Sequence, residues 1–329
     1  MAGPVAVWCF FFISGFLISN ILYENYANRP GDFVVNRFLR IFPAYWAALI
    51  IGLTLIALDY PGILQVYRHS KMPASLESWL RTVFILTPPF VSNVVQVTKP
   101  LVVPVARSLE VELNWYLVLF LGRFLPRPLL ITLLFTGLLS PFVIFFGFHK
   151  PIYGSCAAFP FCLGALAYHF EMKPPKSIQL FSFLTLLFMM FIVPVLLKVN
   201  VFTMNTLPNF SILIGSIVFL FLSFQIFLAS DQPSKLASLA GDLSYPLFLT
   251  HLYAVYFAMK WFGVPRLGWL TLTTVTALSV FLSLLICWLV ERPIGRIRKK
   301  IRNRSAEVGK LLSLVPLPKN GDRFRNLQN

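Results

Sequence analysis

The chain is 329 residues long, 57% hydrophobic and only 12% charged, with a mean hydropathy of +0.76. Soluble domains carry roughly 25% charged residues, so a soluble enzyme, a disordered tail and a disulfide-stapled secreted scaffold are excluded. The formal charge of +16, from 28 basic and 12 acidic residues, would point to nucleic acid on a soluble protein. Here the basic residues sit between and after apolar runs, which points to membrane topology and lipid headgroups and away from nucleic acid.

Two uncharged runs set the class. Ser177 to Leu197 is 21 residues and Leu267 to Val290 is 24, and a helix needs roughly 20 residues to cross about 30 Å of hydrocarbon. The chain therefore reads as an all-α integral membrane protein, a polytopic bundle of about nine transmembrane helices. In chain order the predicted spans are 4–23, 42–60, 112–125, 128–148, 153–170, 178–197, 209–229, 244–262 and 268–290. Turn chemistry separates them, as at Arg127-Pro128, Lys173-Pro174-Pro175 and Gly263-Val264-Pro265. The stretch 82–98 holds Pro88-Pro89, Asn93 and Gln96 and reads as an interfacial or re-entrant piece of a long loop. The organisation expected is a transmembrane domain over 1–295 and a basic tail over 296–329.

Placing that tail in the cytoplasm and alternating backwards puts 19 of the 28 basic residues on the cytoplasmic side and 9 opposite. Eleven of the 19 lie between Arg292 and Arg325. An odd number of spans then leaves the N-terminus outside, which suggests a missing upstream helix or a span hidden in 82–98. Cys9, Cys156, Cys162 and Cys287 lie in apolar runs with no CxxC spacing and read as small packing residues, with no metal set among them. The N-terminus lacks the basic segment of a cleavable signal peptide.

Ionisable groups within spans are expensive and are candidates for chemistry. In Asn36-Arg37-Phe38-Leu39-Arg40 the two arginines share one face of any helical turn. Paired guanidinium forks suit phosphate, whereas plain topology and headgroup contact would use the same residues. Pro43 reads as lying near an interfacial helix start. Ser108, Glu112, Trp115 and Tyr116 recur at helical spacing, so one face presents them together. A carboxylate facing a bundle interior suits acid/base work, and pairing with Arg107 or Arg123 is its structural alternative. Ser244 and His251 share a face two turns apart, His251 lying about 10 Å further along the helix. A histidine there can serve as a base or simply bond to a neighbouring helix. Glu291, before Pro293, reads as a structural ion-pair partner, and Ser14-Gly15 as a close helix approach.

Taken together, these stretches resemble the acyltransferase-3 family of bacterial membrane acyltransferases, which includes O-acetyltransferases of polysaccharide and lipopolysaccharide. FFFISGFLIS (10–19), NRFLRIFPAYW (36–46), SLEVELNWYL (108–117), LSYPLFLTHL (243–252) and VERP (290–293) follow the family's order and spacing. Arg107 replaces a frequent aromatic before Ser108, and Pro246 sits inside the late histidine helix. The resemblance implies transfer of an acyl group, commonly acetyl, from cytoplasmic acyl-CoA to a sugar hydroxyl at the bacterial inner membrane. The expected partners are membrane lipids, acyl-CoA as donor substrate and a carbohydrate acceptor, with no bound cofactor, no metal and no nucleic acid. By position, Arg37 and Arg40 would bind the donor, and Ser108, Glu112 and His251 would carry the chemistry.

Family members begin with one more helix, which carries an Arg and the His regarded as the base. The sequence as given starts at what resembles the second helix, so the expectation is an N-terminally incomplete domain or one in which His251 replaces that base. Two other functions are weighed against the enzyme. An inactive membrane partner would bind ligand without turnover. A flippase for lipid-linked sugar would show inverted internal repeats, and none is visible.

Overall fold

The computed structural model describes residues 3–27, 29–66, 72–85, 102–103, 105–148, 158–170, 175–191, 215–222, 235–263 and 268–314. Among them the regular structure is all helical, and no strand occurs. The helices are α1 (Gly3–Asn20), α2 (Pro30–Val66), α3 (Leu76–Phe84), α4 (Ala106–Gly122), α5 (Arg127–Phe148), α6 (Ala158–His169), α7 (Lys176–Phe191), α8 (Lys235–Phe262), α9 (Trp269–Ile286) and α10 (Arg292–Leu314). A further helical stretch covers 215–222. π-turns follow α1 (Ile21–Asn25) and α9 (Cys287–Glu291).

Among the described residues, Val7–Asn25, Pro30–Asp59 and Trp269–Arg304 are long and apolar enough to cross a membrane. That is three segments where about nine spans were expected. The rest of the expected stretch 82–98 beyond Ile85 lies outside the described residues, as do parts of the expected spans 153–170, 178–197 and 209–229. Helix α8 begins at Lys235, nine residues before the expected start at Ser244. Helix α10 runs without a break across the expected domain boundary at 295/296.

The start of α2 corrects the reading of Pro43. The helix begins at Pro30, a residue whose fixed φ and missing N–H suit the first helical position. Pro43 lies deep in its interior, and Arg37 and Arg40 stand on a formed helix with a full turn or more before them. At its far end α2 kinks at Asp59 (φ −149°, ψ 64°). There Asp59 Oδ1 accepts from the Gly62 N–H at 3.3 Å, as an N-cap does for a new helical turn. Its Oδ2 accepts from the Tyr256 hydroxyl at 2.8 Å and lies 3.1 Å from Lys260 Nζ, tying this end of α2 to α8.

Helices α1 and α6 pack along each other, as do α8 and α9, while α2 takes both α8 and α10. Gly15 and Gly164 set the first pair. A Cβ on Gly15 would strike the Phe161 carbonyl, and one on Gly164 the Phe12 carbonyl. The expected close approach at Ser14-Gly15 is present. Cys9, Cys162 and Cys287 are free thiols, and Cys162 is buried against Gly137.

The aromatic pair after Pro43 has a structural task. The last carbonyls of a helix lack intrahelical partners, and at the end of α3 two side chains supply them. Tyr45 donates its hydroxyl to Thr82 O at 2.5 Å, and the Trp46 indole N–H donates to Val83 O at 2.9 Å. Tyr45 is buried. Tyr45→Phe would leave the Thr82 carbonyl without its donor, so it should cost about 1–3 kcal/mol. Thermal unfolding in detergent checks this, and an unchanged midpoint would show the bond to be dispensable.

Candidate functional site

Helix α4 turns the expected face inward. Glu112, Trp115 and Tyr116 are buried, and Ser108, one turn before Glu112, is half-buried. Glu112 is only 4% exposed. Its Oε1 accepts from the Tyr116 hydroxyl, and Ser14 on α1 hydrogen-bonds to the same carboxylate. The glycine after Ser14 brings α6 close, while the serine itself faces α4. One dipeptide thus serves both helix packing and the buried acid.

Arg37 and Arg40 on α2 lie within electrostatic reach of Glu112. The Arg37 guanidinium stands over the Phe33 ring at 5.7 Å, and its Nε is buried with no hydrogen-bond partner. Arg40 is exposed. The structure therefore brings together three of the five expected residues, Arg37, Arg40 and Glu112. The alternative partners considered for Glu112 are engaged elsewhere or turned out. Arg123 donates to Tyr26 O at 3.0 Å and to Ala27 O, capping the end of the first π-turn. Arg107 is exposed.

His251 stands apart from this group along the axis of α8. Tyr245, whose hydroxyl donates to Ile41 O at 2.9 Å, marks where α8 meets the Arg40 region of α2 and lies within electrostatic reach of Glu112. His251 is six residues on, about 9 Å further at 1.5 Å per residue, toward the Asp59 end. Its Nδ1 lies 2.9 Å from Phe248 O. A carbonyl only accepts, so Nδ1 carries the proton, and in the neutral ring Nε2 keeps its lone pair. Phe248 stacks on Phe10 of α1 at 5.8 Å. Phe10 and Ser14 are one turn apart, so one face of α1 runs from the Phe248 level to Glu112. Ser108 is displaced from Glu112 in the same direction, by about 6 Å along α4. Ser108 and His251 are thus both displaced from the level of Glu112 and Arg40 toward the Asp59 end, each along its own helix. Ser244, expected on the His251 face, is exposed and donates back to Gly241 O at 2.8 Å.

The structure adds members that the sequence reading left out. Asn36 and Tyr245 enter the sequence reading only as parts of motifs, Arg298 only as one of the basic tail residues, and Tyr26 not at all. Asn36 donates its amide to Arg298 O at 3.2 Å, and Arg298 Nε donates back to Asn36 Oδ1 at 3.4 Å. Arg298 Nη1 lies 3.7 Å from Glu291 Oε2, the ion pair expected for Glu291 in kind. The second π-turn, closed by the Arg292 N–H to Cys287 O, sets Glu291 into that position. Extra-residue turns of this type recur at functional sites. The available signal for Arg298 was the charge periodicity of 292–304, which reads equally well as a solvated tail.

No curated protein and no solved structure matches the chain. The sequence profile of a family described as "Acyltransferase domain" matches residues 1–292, ending at the first residue of α10. The match takes in four of the five stretches that carried the resemblance whole and the fifth, 290–293, as far as Arg292, together with α1, α2, α4 and α8. On that match the chain belongs to the acyltransferase-3 family.

Proposed function

We propose that the protein moves an acyl group, acetyl in the simplest case, from acyl-CoA on the cytoplasmic side to a sugar hydroxyl of a polysaccharide, lipopolysaccharide or glycolipid at the bacterial inner membrane. The observation that carries this reading is the buried Glu112 carboxylate within reach of the paired guanidiniums of Arg37 and Arg40. In this reading the end where α10 docks faces the cytoplasm. The arginines hold the donor's phosphates by charge-assisted hydrogen bonds, and the pantetheine arm follows the α1 face inward.

The thioester then lies between the levels of Glu112 and His251. His251 Nε2 accepts from a neighbouring hydroxyl of the acceptor sugar and so orients it from the far side, and Ser108 donates to the thioester carbonyl. The acceptor oxygen bonds to the carbonyl carbon as its proton passes to Glu112. The C–S bond breaks, and the proton goes on to the departing sulfur. Atoms and charge balance without any further reactant.

The test of the donor assignment is acyl-CoA affinity in purified, membrane-reconstituted protein. Arg37→Ala/Arg40→Ala should weaken binding at least about tenfold, since one charged hydrogen bond is worth about 1.5–3 kcal/mol. Unchanged affinity would remove both arginines from the donor site.

A further inference from the structure

Among the basic residues of α10, Arg298 differs from its neighbours. Arg292, Arg296, Lys299, Lys300, Arg302 and Arg304 are exposed, whereas the Arg298 side chain is 18% exposed and turned against α2. It is oriented from two sides, by Asn36 next to Arg37 in sequence and by Glu291 at the end of the π-turn. Neither partner saturates it. The Asn36 bond is long at 3.4 Å, and at 3.7 Å the Glu291 contact is an ion pair outside hydrogen-bond range. Arg298 also lies within electrostatic reach of both Arg37 and Arg40.

Three guanidiniums gathered in a partly buried place repel one another, and buried donors without acceptors are costly. The buried, unpartnered Nε of Arg37 is such a donor. An arrangement that orients arginines and leaves their donors open matches a multidentate anion, and planar forks at several angles suit a phosphate group. If α10 needed only an anchor on α2, one arginine paired closely with Glu291 would serve.

We infer that Arg298 is the third arginine of the donor site. Held by Asn36 and Glu291, it takes a phosphate of the nucleotide part of acyl-CoA together with Arg37. This rests on the donor reading given above and extends it to a residue of the basic helix. It also gives Asn36 and Glu291 a task as positioning residues. Anionic lipid headgroups offer the same phosphate chemistry, so the experiment has to separate the two sources.

The experiment uses the full chain in neutral phosphatidylcholine nanodiscs and measures the affinity for acetyl-CoA and for acetyl-pantetheine, which carries the thioester arm and no phosphate. Arg298→Gln should weaken acetyl-CoA binding about tenfold and leave acetyl-pantetheine unchanged. Arg298→Lys should fall between, and the exposed Arg296→Gln should match the wild type. In the wild-type chain, acetyl-CoA should slow modification of Arg298 by phenylglyoxal while acetyl-pantetheine should not, a readout that stands even if Arg298→Gln folds poorly.

Equal loss of both thioesters would make Arg298 a packing residue and overturn the inference. So would an effect seen only when the discs contain phosphatidylglycerol, which would assign the phosphate to lipid. Normal acetyl-CoA affinity in Arg298→Gln, beside a loss in Arg37→Ala/Arg40→Ala, would defeat the inference and leave the donor reading standing. Failure of the wild-type chain to bind acetyl-CoA at all would defeat both.

Discussion

Glu112→Gln should lower the rate of acyl transfer roughly 10²- to 10⁴-fold, the usual contribution of a positioned general acid or base, while acyl-CoA affinity stays near that of the wild type. The substitution isolates charge from shape. Glutamine keeps the volume of the side chain and an oxygen that can accept from Tyr116 and Ser14. It cannot take a proton from an attacking hydroxyl. Were Glu112 only a counter-ion that keeps Arg37 and Arg40 from repelling one another, the loss would appear in donor affinity and stability, with turnover of bound donor preserved. Steady-state kinetics with varied acyl-CoA, together with a direct binding measurement, separates the two. A turnover number within about threefold of the wild type would end the assignment of Glu112 to the chemistry.

The second large effect concerns the scaffold. Gly15→Ala and Gly164→Ala should each destabilise the chain by about 1–3 kcal/mol or more, the usual cost of overpacking. The added Cβ meets a backbone carbonyl in both cases, that of Phe161 or of Phe12, and a helix backbone cannot step aside as a side chain can. Gly137→Ala is the informative comparison. There the added atom would meet Cys162 Sγ, the end of a side chain, so the cost should be smaller. Gly241→Ala has open space around it and should stabilise α8 by about 0.5–1 kcal/mol through helix propensity alone. Denaturant or thermal unfolding in one detergent orders the four variants. Equal effects at Gly15 and Gly241 would contradict the close packing of α1 on α6. Because Ser14 reaches Glu112, Gly15→Ala should also reduce turnover of whatever protein remains folded.

Much of the candidate site could be read from residue spacing because it is local. Arg37 with Arg40, and Ser108 with Glu112 and Tyr116, each lie on a single helix face, where a period of 3.6 residues decides what points together. The small pair Ser14-Gly15 stands out in a run of phenylalanines, and its packing role followed from that contrast. Arg298 was hidden for the opposite reason. Its partner Asn36 is 262 residues away, and nothing in the charge pattern of 292–304 distinguishes the one arginine that turns inward.

Pro43 misled because a proline near aromatics resembles a helix start, whereas the N-terminal position belongs to Pro30 and Pro43 is carried inside a long helix. The π-turns at 21–25 and 287–291 carry no sequence mark, since the inserted residue is chosen by packing. Depth was the other hidden quantity. Spacing gave His251 a helix and a face, but the offset of about 9 Å from the Tyr245 level has meaning only once the Tyr245 bond to Ile41 fixes how α8 lies against α2.

The measurement that bears most directly on the account is photolabelling with an acyl-CoA whose acyl chain carries a diazirine, followed by mapping of the modified residues. The acyl path proposed between Glu112 and His251 predicts label on Phe10–Gly15, Ser108–Glu112 and Phe248–His251, suppressed by excess CoA and diminished in Arg37→Ala/Arg40→Ala. Label spread over α5 and α9 and indifferent to CoA would mean that the acyl group does not enter between Glu112 and His251, and the proposed site would be wrong.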